Sequence, residues 1–317
     1  MNNQIRTTDN HDGIDRRGFL KCMAWAGTGV LWTVSGGALQ SRVLGADANP
    51  ADIKADFSFV QISDSHIGFS KEPNQNVVGT LQQAIARINA LPSRPELLIH
   101  TGDLTHLAKA AEFDTVDQVL KQAKIANTFY VPGEHDVFAD EGKLYLERFG
   151  RKTRGTGWHS FDHKGVHFVG LVNVANLKPG GLGTLGNDQL DWLKKDVESL
   201  GASTPIVVYA HVPLWSVFPK WGWGTDDSEQ ALKLLRRFGS VTVLNGHIHQ
   251  VLQKTEGNIT FHTARSTAFP QPAPGTAESP GPMKNVPAEK LRGMLGLTSV
   301  KYTVSGNSLA VVDSTLE

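Results

Sequence analysis

Short apolar runs recur along the chain and predict the strands of a buried sheet. Each run has four to six residues, is rich in Val, Ile, Leu and Phe, and is bounded by turn residues. The runs are Phe57–Ile62, Glu96–His100, Thr128–Val131, Ile206–Ala210 and Val241–Leu244. Continuous apolar runs of this length are typical of strands covered on both faces, so we predict largely parallel strands.

Helical periodicity separates several of these runs. Leu81, Ile85 and Ile88 recur at helical spacing, and residues 190–200 keep one apolar face behind Asn187, a predicted N-cap. Two hairpins are predicted, one across residues 158–172 and one joining residues 295–304 to 308–313. Residues 270–287 hold six prolines and are predicted to form a long surface loop. Strands alternating with helices predict an α/β fold.

Every predicted strand is followed by acidic or histidine side chains. The segments that follow the five strands are Asp64-Ser65-His66, Gly102-Asp103, Gly133-Glu134-His135-Asp136, His211 and Gly246-His247-Ile248-His249. In open α/β sheets, ligands bind at the carboxyl ends of the strands. A single Asp or His in a turn is usually a capping residue, but five such segments in five strands predict a shared site.

The chemistry of these side chains indicates metal binding. Asp64 and His66 are two residues apart and so point the same way in an extended chain, as do His247 and His249. Carboxylate oxygen and imidazole nitrogen suit Zn, Mn or Fe without selecting among them. The set is too large for one tetrahedral ion, so two metals that share a carboxylate are the simplest interpretation.

The order of these segments resembles that of the calcineurin-like metallophosphoesterases, whose pattern is D-x-H, G-D, G-N-H-[D/E], a later H, and G-H-x-H. The resemblance spans roughly residues 57–250. It implies two facing mixed β-sheets flanked by helices, a four-layer αββα sandwich, within a catalytic domain of residues 49–317. It also implies a hydrolase that acts on phosphoric ester bonds and carries two divalent or trivalent metal ions.

The resemblance also implies individual roles. For the first metal the implied ligands are Asp64, His66 and His249; for both metals, Asp103; and for the second, His211 and His247. His135 would face the leaving group, with Asp136 behind it to keep it charged. Hydrolysis would proceed by attack of a hydroxide that bridges the metals.

Glu134 departs from the family pattern, which has asparagine there. If Glu134 binds the second metal, its charge should tighten cation binding and make the metals less electrophilic. Alternatively, it swings away and leaves the second site weak. We favour ligation.

The substrate is not specified by any single residue. A phosphodiester is slightly favoured because the chain is similar to small bacterial members that cleave cyclic nucleotides; the alternatives are a phosphomonoesterase and a non-catalytic metal-binding module. The aromatic residues of segment 215–223 could stack a flat substrate group or simply hold down a loop. His106 and two cations, Lys220 and Arg265, are further residues that could reach the substrate.

Charge and cysteine content narrow the range of partners. Lys plus Arg and Asp plus Glu each number 31, so the chain lacks the basic excess of a nucleic-acid polymer binder. The single cysteine, Cys22, excludes an intramolecular disulfide and a thiolate metal cluster. The partner that the family resemblance implies is a small-molecule phosphoester.

The first 48 residues are predicted to be a cleaved export signal. Arg16-Arg17 resembles the twin-arginine pattern, although Asp15 stands where Ser or Thr is usual. A mildly apolar, glycine-rich segment follows, and Ala46-Asp47-Ala48 is a small-x-small cleavage site. We expect the twin-arginine export machinery as a partner, a periplasmic product, and no stable membrane anchor.

Overall fold

The computed structural model describes residues 30–35, 38–43, 57–303 and 308–317. Val30–Ser35 (β1) and Ala38–Val43 (β2) pair as an antiparallel ribbon inside the predicted signal segment. The arginine pair and the predicted cleavage site lie outside the described residues. No helix in the described ranges is both long and apolar enough to cross a membrane.

From residue 57 onward, strands and helices alternate. The remaining strands are β3 Phe57–Ile62, β4 Leu97–His100, β5 Asn127–Tyr130, β6 His159–His163, β7 Val166–Gly170, β8 Ile206–Ala210, β9 Val241–Asn245, β10 Gln253–Glu256, β11 Ile259–Thr263, β12 Gly296–Thr303 and β13 Ser308–Thr315. The helices are α1 Val77–Asn89, α2 Ala110–Leu120, α3 Glu134–Val137, α4 Lys143–Phe149, α5 Asn187–Glu198, α6 Ser228–Leu235 and α7 Ala288–Met294.

These strands form two mixed sheets. The first has the order β13-β12-β3-β4-β5, with β3, β4 and β5 parallel and the β12–β13 hairpin antiparallel at one edge. The second has the order β10-β11-β9-β8-β7-β6, with a parallel centre and an antiparallel strand at each edge. The predicted α/β fold with two mixed sheets is confirmed.

Alternate side chains of each strand build three apolar layers. Phe59 of the first sheet packs against Phe168 of the second, with ring centroids 5.4 Å apart, so the sheets face each other. Val60, the next residue, points the other way into a cluster with α1 and α2. Strands β8 and β9 similarly pack their outer faces on α5 and α6. The result is a helix–sheet–sheet–helix sandwich.

Most predicted elements are confirmed, with two local corrections. The five predicted strands lie within one residue of the predicted bounds, both hairpins form, and residues 270–287 contain no helix or strand. Four of these strands are buried as predicted, whereas β5 is partly exposed. The predicted N-cap at Asn187 is wrong: Asn187 is the first residue of α5 and Gly186 caps it. Asp227, distant in sequence, accepts the amides of Leu185 and Gly186 at 2.9 Å and thereby stabilises this turn.

Candidate metal centre

The loops after five strands of both sheets bring the seven predicted ligands together. In one group, Nε2 of His249 lies 3.3 Å from Nε2 of His66 and 3.3 Å from Oδ1 of Asp64. In a second group, Nδ1 of His247 lies 3.3 Å from Nε2 of His211. The structure therefore places all of these side chains where the sequence predicts them to converge.

Asp103 lies between the two groups. Its Oδ2 atom is 3.4 Å from Nε2 of His66 in one group and 3.4 Å from Nε2 of His211 in the other. One carboxylate oxygen thus faces ligand atoms on both sides, which is the position that a shared ligand requires.

Glu134 points into the second group rather than away from it. Its Oε2 atom lies 2.9 Å from Nε2 of His211, and its Oε1 atom lies 3.0 Å from Nδ1 of His247. Burial disfavours the charged form, but the two histidines outweigh it and hold the pKa of Glu134 well below its ordinary value. Glu134 is therefore a carboxylate aimed at the same space as the two imidazoles.

The hydrogen bonds behind the ligands show that this space suits a cation. Nδ1–H of His211 donates to the carbonyl of Thr101 at 2.7 Å, and Nδ1–H of His249 donates to the carbonyl of Phe269 at 2.5 Å. Because a carbonyl only accepts, each Nδ1 carries the proton and each Nε2 turns a lone pair inward. In the neutral imidazoles these lone pairs converge with the carboxylates, and such a set fits a metal ion.

Protons and cations compete for these atoms. Burial disfavours a proton on His211, yet the carboxylates of Asp103 and Glu134 outweigh burial and raise the pKa of His211 well above its ordinary value. The same negative field attracts a metal ion to Nε2, and a bound metal displaces the proton.

Five of the ligand residues adopt a left-handed backbone. The φ angles are 54° at Asp64, 40° at His66, 51° at Asp103, 69° at His247 and 55° at His249. Such angles are uncommon for residues other than glycine and concentrate at functional sites, where surrounding contacts maintain them. Here the loops support one another, since the amide of His66 donates to the carbonyl of Asp103 at 2.9 Å.

Two glycines permit the close approach of these loops. A side chain at Gly133 would overlap the Asp103 carboxylate, and one at Gly246 would overlap the Ser63 hydroxyl and lie 2.6 Å from Asp64 Oδ2. Neither position has room for a Cβ, so both glycines are required by packing against the ligands.

His135 lies beside the ligand groups, and its ring is oriented by a backbone carbonyl. Its Nδ1–H donates to the carbonyl of His106 at 2.8 Å, not to Asp136. Burial opposes protonation of His135, but the carboxylates of Asp103 and Glu134 outweigh burial and raise its pKa. The ring is thus set to carry a proton next to the site.

Asp136, which the resemblance places behind His135, accepts hydrogen bonds from the neighbouring loops. Its carboxylate accepts the amides of Leu104 at 3.1 Å, Thr105 at 2.8 Å and Gly133 at 2.9 Å, together with the Thr105 hydroxyl at 2.8 Å. Its four short contacts are therefore all with the loops after β4 and β5. Its charge still contributes to the raised pKa of His135, after Asp103 and Glu134.

The sequence does not decide whether His106 belongs to the site. Its ring stacks on His135, with centroids 4.9 Å apart and planes 16° apart, and its Nδ1 atom lies 3.4 Å from Nδ1 of His66. Burial, reinforced by His135, lowers the pKa of His106 to about 4. Its place three residues after Asp103 was the only signal for it in the sequence.

Other histidines make hydrogen bonds or ion pairs outside the candidate site. His100 is fully buried, with Nε2 2.6 Å from the Ser65 hydroxyl, and is therefore a hydrogen-bonded core residue. His167 lies between two carboxylates, with Nδ1 2.8 Å from Asp162 and Nε2 3.0 Å from Asp196. No pattern in the sequence marks this clamp, because its three members come from different elements.

The aromatic segment after β8 packs mainly into the protein. Trp215 and Trp223 are buried, and Trp221 stands edge-on to both Phe218 and Trp223, with centroids 5.2 Å apart in each pair. This arrangement favours the interpretation of a cluster that holds down the loop. Arg265 donates to the carbonyl of Gly293 at 3.4 Å, whereas Lys220 is exposed.

Comparison with known proteins agrees with this geometry. Residues 57–251 match the family model described as calcineurin-like phosphoesterase. The chain is 30% identical over 211 residues to a probable cyclic nucleotide phosphodiesterase of Synechococcus sp. (strain WH7803), covering 60% of this chain and 74% of that protein. It is 26% identical over 227 residues to a probable glycerophosphodiester phosphodiesterase of Arcobacter nitrofigilis, covering 65% and 77% respectively.

The fold is also found among solved structures. A dimetal phosphatase from Danio rerio superposes with a TM-score of 0.61 at 14% identity, covering 83% of this chain and all of that one (100%). At this identity the match supports the fold alone, namely two mixed sheets flanked by helices.

Proposed function

This chain belongs to the calcineurin-like phosphoesterase family, whose members hydrolyse phosphoester bonds, and from that premise we propose that it is a dinuclear-metal phosphodiesterase. The observation that carries the proposal is the pair of ligand groups on either side of Asp103. Two neighbouring cations that share one carboxylate form the arrangement used for in-line displacement at phosphorus.

In this proposal each ligand group holds one ion. Asp64, His66 and His249 hold the first, and Glu134, His211 and His247 hold the second, with Asp103 shared. When bound, the two ions would polarise the phosphoryl oxygens and lower the pKa of a water molecule. The donor atoms are compatible with Fe, Mn or Zn.

His135 supplies the proton chemistry. Because its Nδ1–H is committed to the carbonyl of His106, Nε2 is the ring atom free to face the substrate. Its raised pKa keeps a proton available there, and that proton can pass to the departing alkoxide oxygen. The carbonyl of His106 fixes the orientation of the ring, and Asp136 fixes the two loops around it.

The ion pairs of the ligand carboxylates favour a diester over a monoester, and the charge of Lys71 acts on His106, at the margin of the site. Within the described residues, the ion pairs of Asp64, Asp103 and Glu134 are all with histidines, and no Lys or Arg joins them. A monoester carries two negative charges and gains from extra fixed cations, whereas a diester carries one. Both curated relatives described above are named as phosphodiesterases, which supports the same choice.

The experiment compares the metal-loaded protein on bis(4-nitrophenyl) phosphate and on 4-nitrophenyl phosphate. We expect a higher kcat/KM for the diester and about two ions per chain by elemental analysis. Asp103→Ala should lower kcat/KM by roughly 10³-fold, because charge stabilisation worth several kcal/mol is lost, while Asp117→Asn, an exposed carboxylate on α2, should retain activity. Bound metal without turnover of either ester would contradict the proposal and favour a non-catalytic metal-binding module.

A further inference from the structure

Two exposed apolar side chains flank the stacked histidines of the site. In residues 57–303 and 308–317 the exposed large apolar side chains with described burial are Leu107, Phe138 and Leu177. Leu107 follows His106 directly, and Phe138 comes three residues after His135. Phe138 is the most exposed of the three, at 59%, and a single exposed side chain would need no explanation. Leu107 and Phe138, however, are both close in sequence to the stacked rings of His106 and His135, and this coincidence does need an explanation.

The ring of Phe138 extends a row of aromatic rings that passes through His135. Phe138 stands edge-on to His135 with centroids 6.1 Å apart. His135 stacks on His106, and Phe69 stands edge-on to His106 at 5.2 Å. The row is Phe69, His106, His135 and Phe138, and we call it the aromatic row. The inner end is buried at Phe69 and the outer end is open at Phe138.

The backbone under both apolar side chains is fixed. The amide of Phe138 donates to the carbonyl of Glu134 at 3.2 Å, one helical turn earlier. The amide of Leu107 donates to Oε2 of the buried Glu112 at 2.8 Å. A surface that is already ordered loses little conformational entropy when a ligand group packs on it. Phe138 and Leu107 are therefore suited to contact a ligand rather than merely to be exposed.

We propose that Phe138 forms the subsite for an aromatic group carried by the leaving alcohol of the substrate. The inference rests on the proposed function, in which His135 protonates that alcohol. Because the ring of Phe138 stands edge-on to the ring of His135, an aromatic group on an alcohol that takes its proton from His135 can reach Phe138. A flat uncharged ring gains apolar burial and an edge or face contact there, which a short alkyl group does not.

Binding of two non-hydrolysable diester analogues tests this without depending on turnover. Methyl(2-phenylethyl)phosphinate, here the benzyl compound, and methyl(propyl)phosphinate are both monoanions with carbon in place of each ester oxygen, and they differ in the aromatic ring. Calorimetry on the metal-loaded chain should give a dissociation constant about tenfold lower for the benzyl compound. Phe138→Ser should abolish that preference, and Phe138→Tyr should keep it. Leu91→Ala, in the loop between α1 and β4 at the amino-terminal ends of the strands, is the control and should also keep it.

Equal binding of the two analogues to the wild-type chain would overturn the inference, and so would a benzyl preference that survives Phe138→Ser. Neither result affects the proposed function, which is judged separately by hydrolysis of bis(4-nitrophenyl) phosphate. Conversely, a Phe138-dependent benzyl preference in a chain that hydrolyses no phosphoester would support the subsite and contradict the proposed function. Circular dichroism spectra of each variant check that the fold is kept.

Discussion

At the scale of single residues, Glu134 sets the charge of the ligand set. Its carboxylate lies within 3.0 Å of both His211 and His247, where the family pattern has a neutral amide. The added negative charge strengthens attraction for a cation and reduces the positive charge that the cation presents to a substrate.

The variant Glu134→Asn should therefore weaken binding of the second ion about tenfold or more and raise kcat at saturating metal. Titration calorimetry measures the affinity, and steady-state kinetics at increasing metal concentration measures kcat. Asp117→Asn on α2 removes an exposed carboxylate and should change neither. Two ions bound with unchanged affinity in Glu134→Asn would show that the carboxylate is not a ligand.

His167 should make stability depend on pH. Burial lowers its pKa, but the carboxylates of Asp196 and Asp162 outweigh burial and raise it above the ordinary value of 6.5. The folded state thus binds this proton more tightly than the unfolded state. The resulting stabilisation is fully present below pH 6.5 and declines as the pH rises through the raised folded value.

The stabilisation is on the order of 1 kcal/mol, since Asp162 is largely exposed and solvent screens its share. The free energy of unfolding of His167→Gln should fall below that of the wild type by more at pH 5.5 than at pH 8.5. Urea titrations at both pH values measure this difference. An identical difference at the two pH values would exclude a charged His167.

The convergence of the seven candidate ligands could be predicted from the sequence because each lies in the segment that follows a strand. His106 and Asp136 were harder, because their roles depend on contacts between separate loops. The carbonyl of His106 accepts from His135, 29 residues away in sequence. Nothing in the spacing of side chains indicates a backbone carbonyl as the partner. The roles of both residues therefore required the structure.

At the scale of elements, Asp136 joins the loop after β4 to the loop after β5. It accepts three amides and one hydroxyl from these two loops and is fully buried. If Asp136 were an asparagine, its side-chain NH2 group would face backbone N–H groups that now donate to the carboxylate, and neither group could accept a hydrogen bond. Buried donors left without a partner cost about 1–3 kcal/mol.

Asp136→Asn should therefore lower the free energy of unfolding of the metal-free chain by about 1–3 kcal/mol. Denaturant unfolding in the presence of a chelator measures this without interference from bound metal. Asp114→Asn, which removes a surface pair with Arg148, should change it by less than about 1 kcal/mol. An unchanged unfolding free energy would instead indicate that Asp136 acts through the charge of His135 alone.

The predicted elements were accurate where apolar periodicity was strong and failed where it was absent. The fully buried strands β3, β8 and β9 were predicted within one residue, because continuous burial leaves a continuous apolar run. Strand β10 is exposed throughout and has no such pattern. The start of α5 was misplaced because its cap depends on Asp227, a contact that only the tertiary fold creates.

At the scale of the whole molecule, apolar runs do not reveal which strands share a sheet. A strand covered on both faces has the same composition in either sheet, so periodicity predicted strands but not their division into two sheets. The resemblance to a family supplied that division, and the packing of Phe59 on Phe168 confirms it. The location of the protein in the cell depends on the predicted export signal in residues 1–48 and not on the fold.

Export should depend on the arginine pair. Changing Arg16 and Arg17 together to lysine preserves charge but removes the twin-arginine pattern, so the protein should be retained in the cytoplasm. Cell fractionation followed by immunoblotting measures the periplasmic share. Changing Arg6 to lysine is the matched control and should leave export unaffected. Periplasmic accumulation of the double variant would contradict the proposed route.

The ligand residues are divided between the two sheets: those from Asp64 to Glu134 follow strands of the first, and those from His211 to His249 follow strands of the second. A pair of ions held between them would link the two sheets at the carboxyl ends of their strands. Loss of the ions would therefore loosen the strand-end loops first, while the packing of Phe59 on Phe168 still held the two sheets together. Proteases would then cleave the strand-end loops before they cleave the strands.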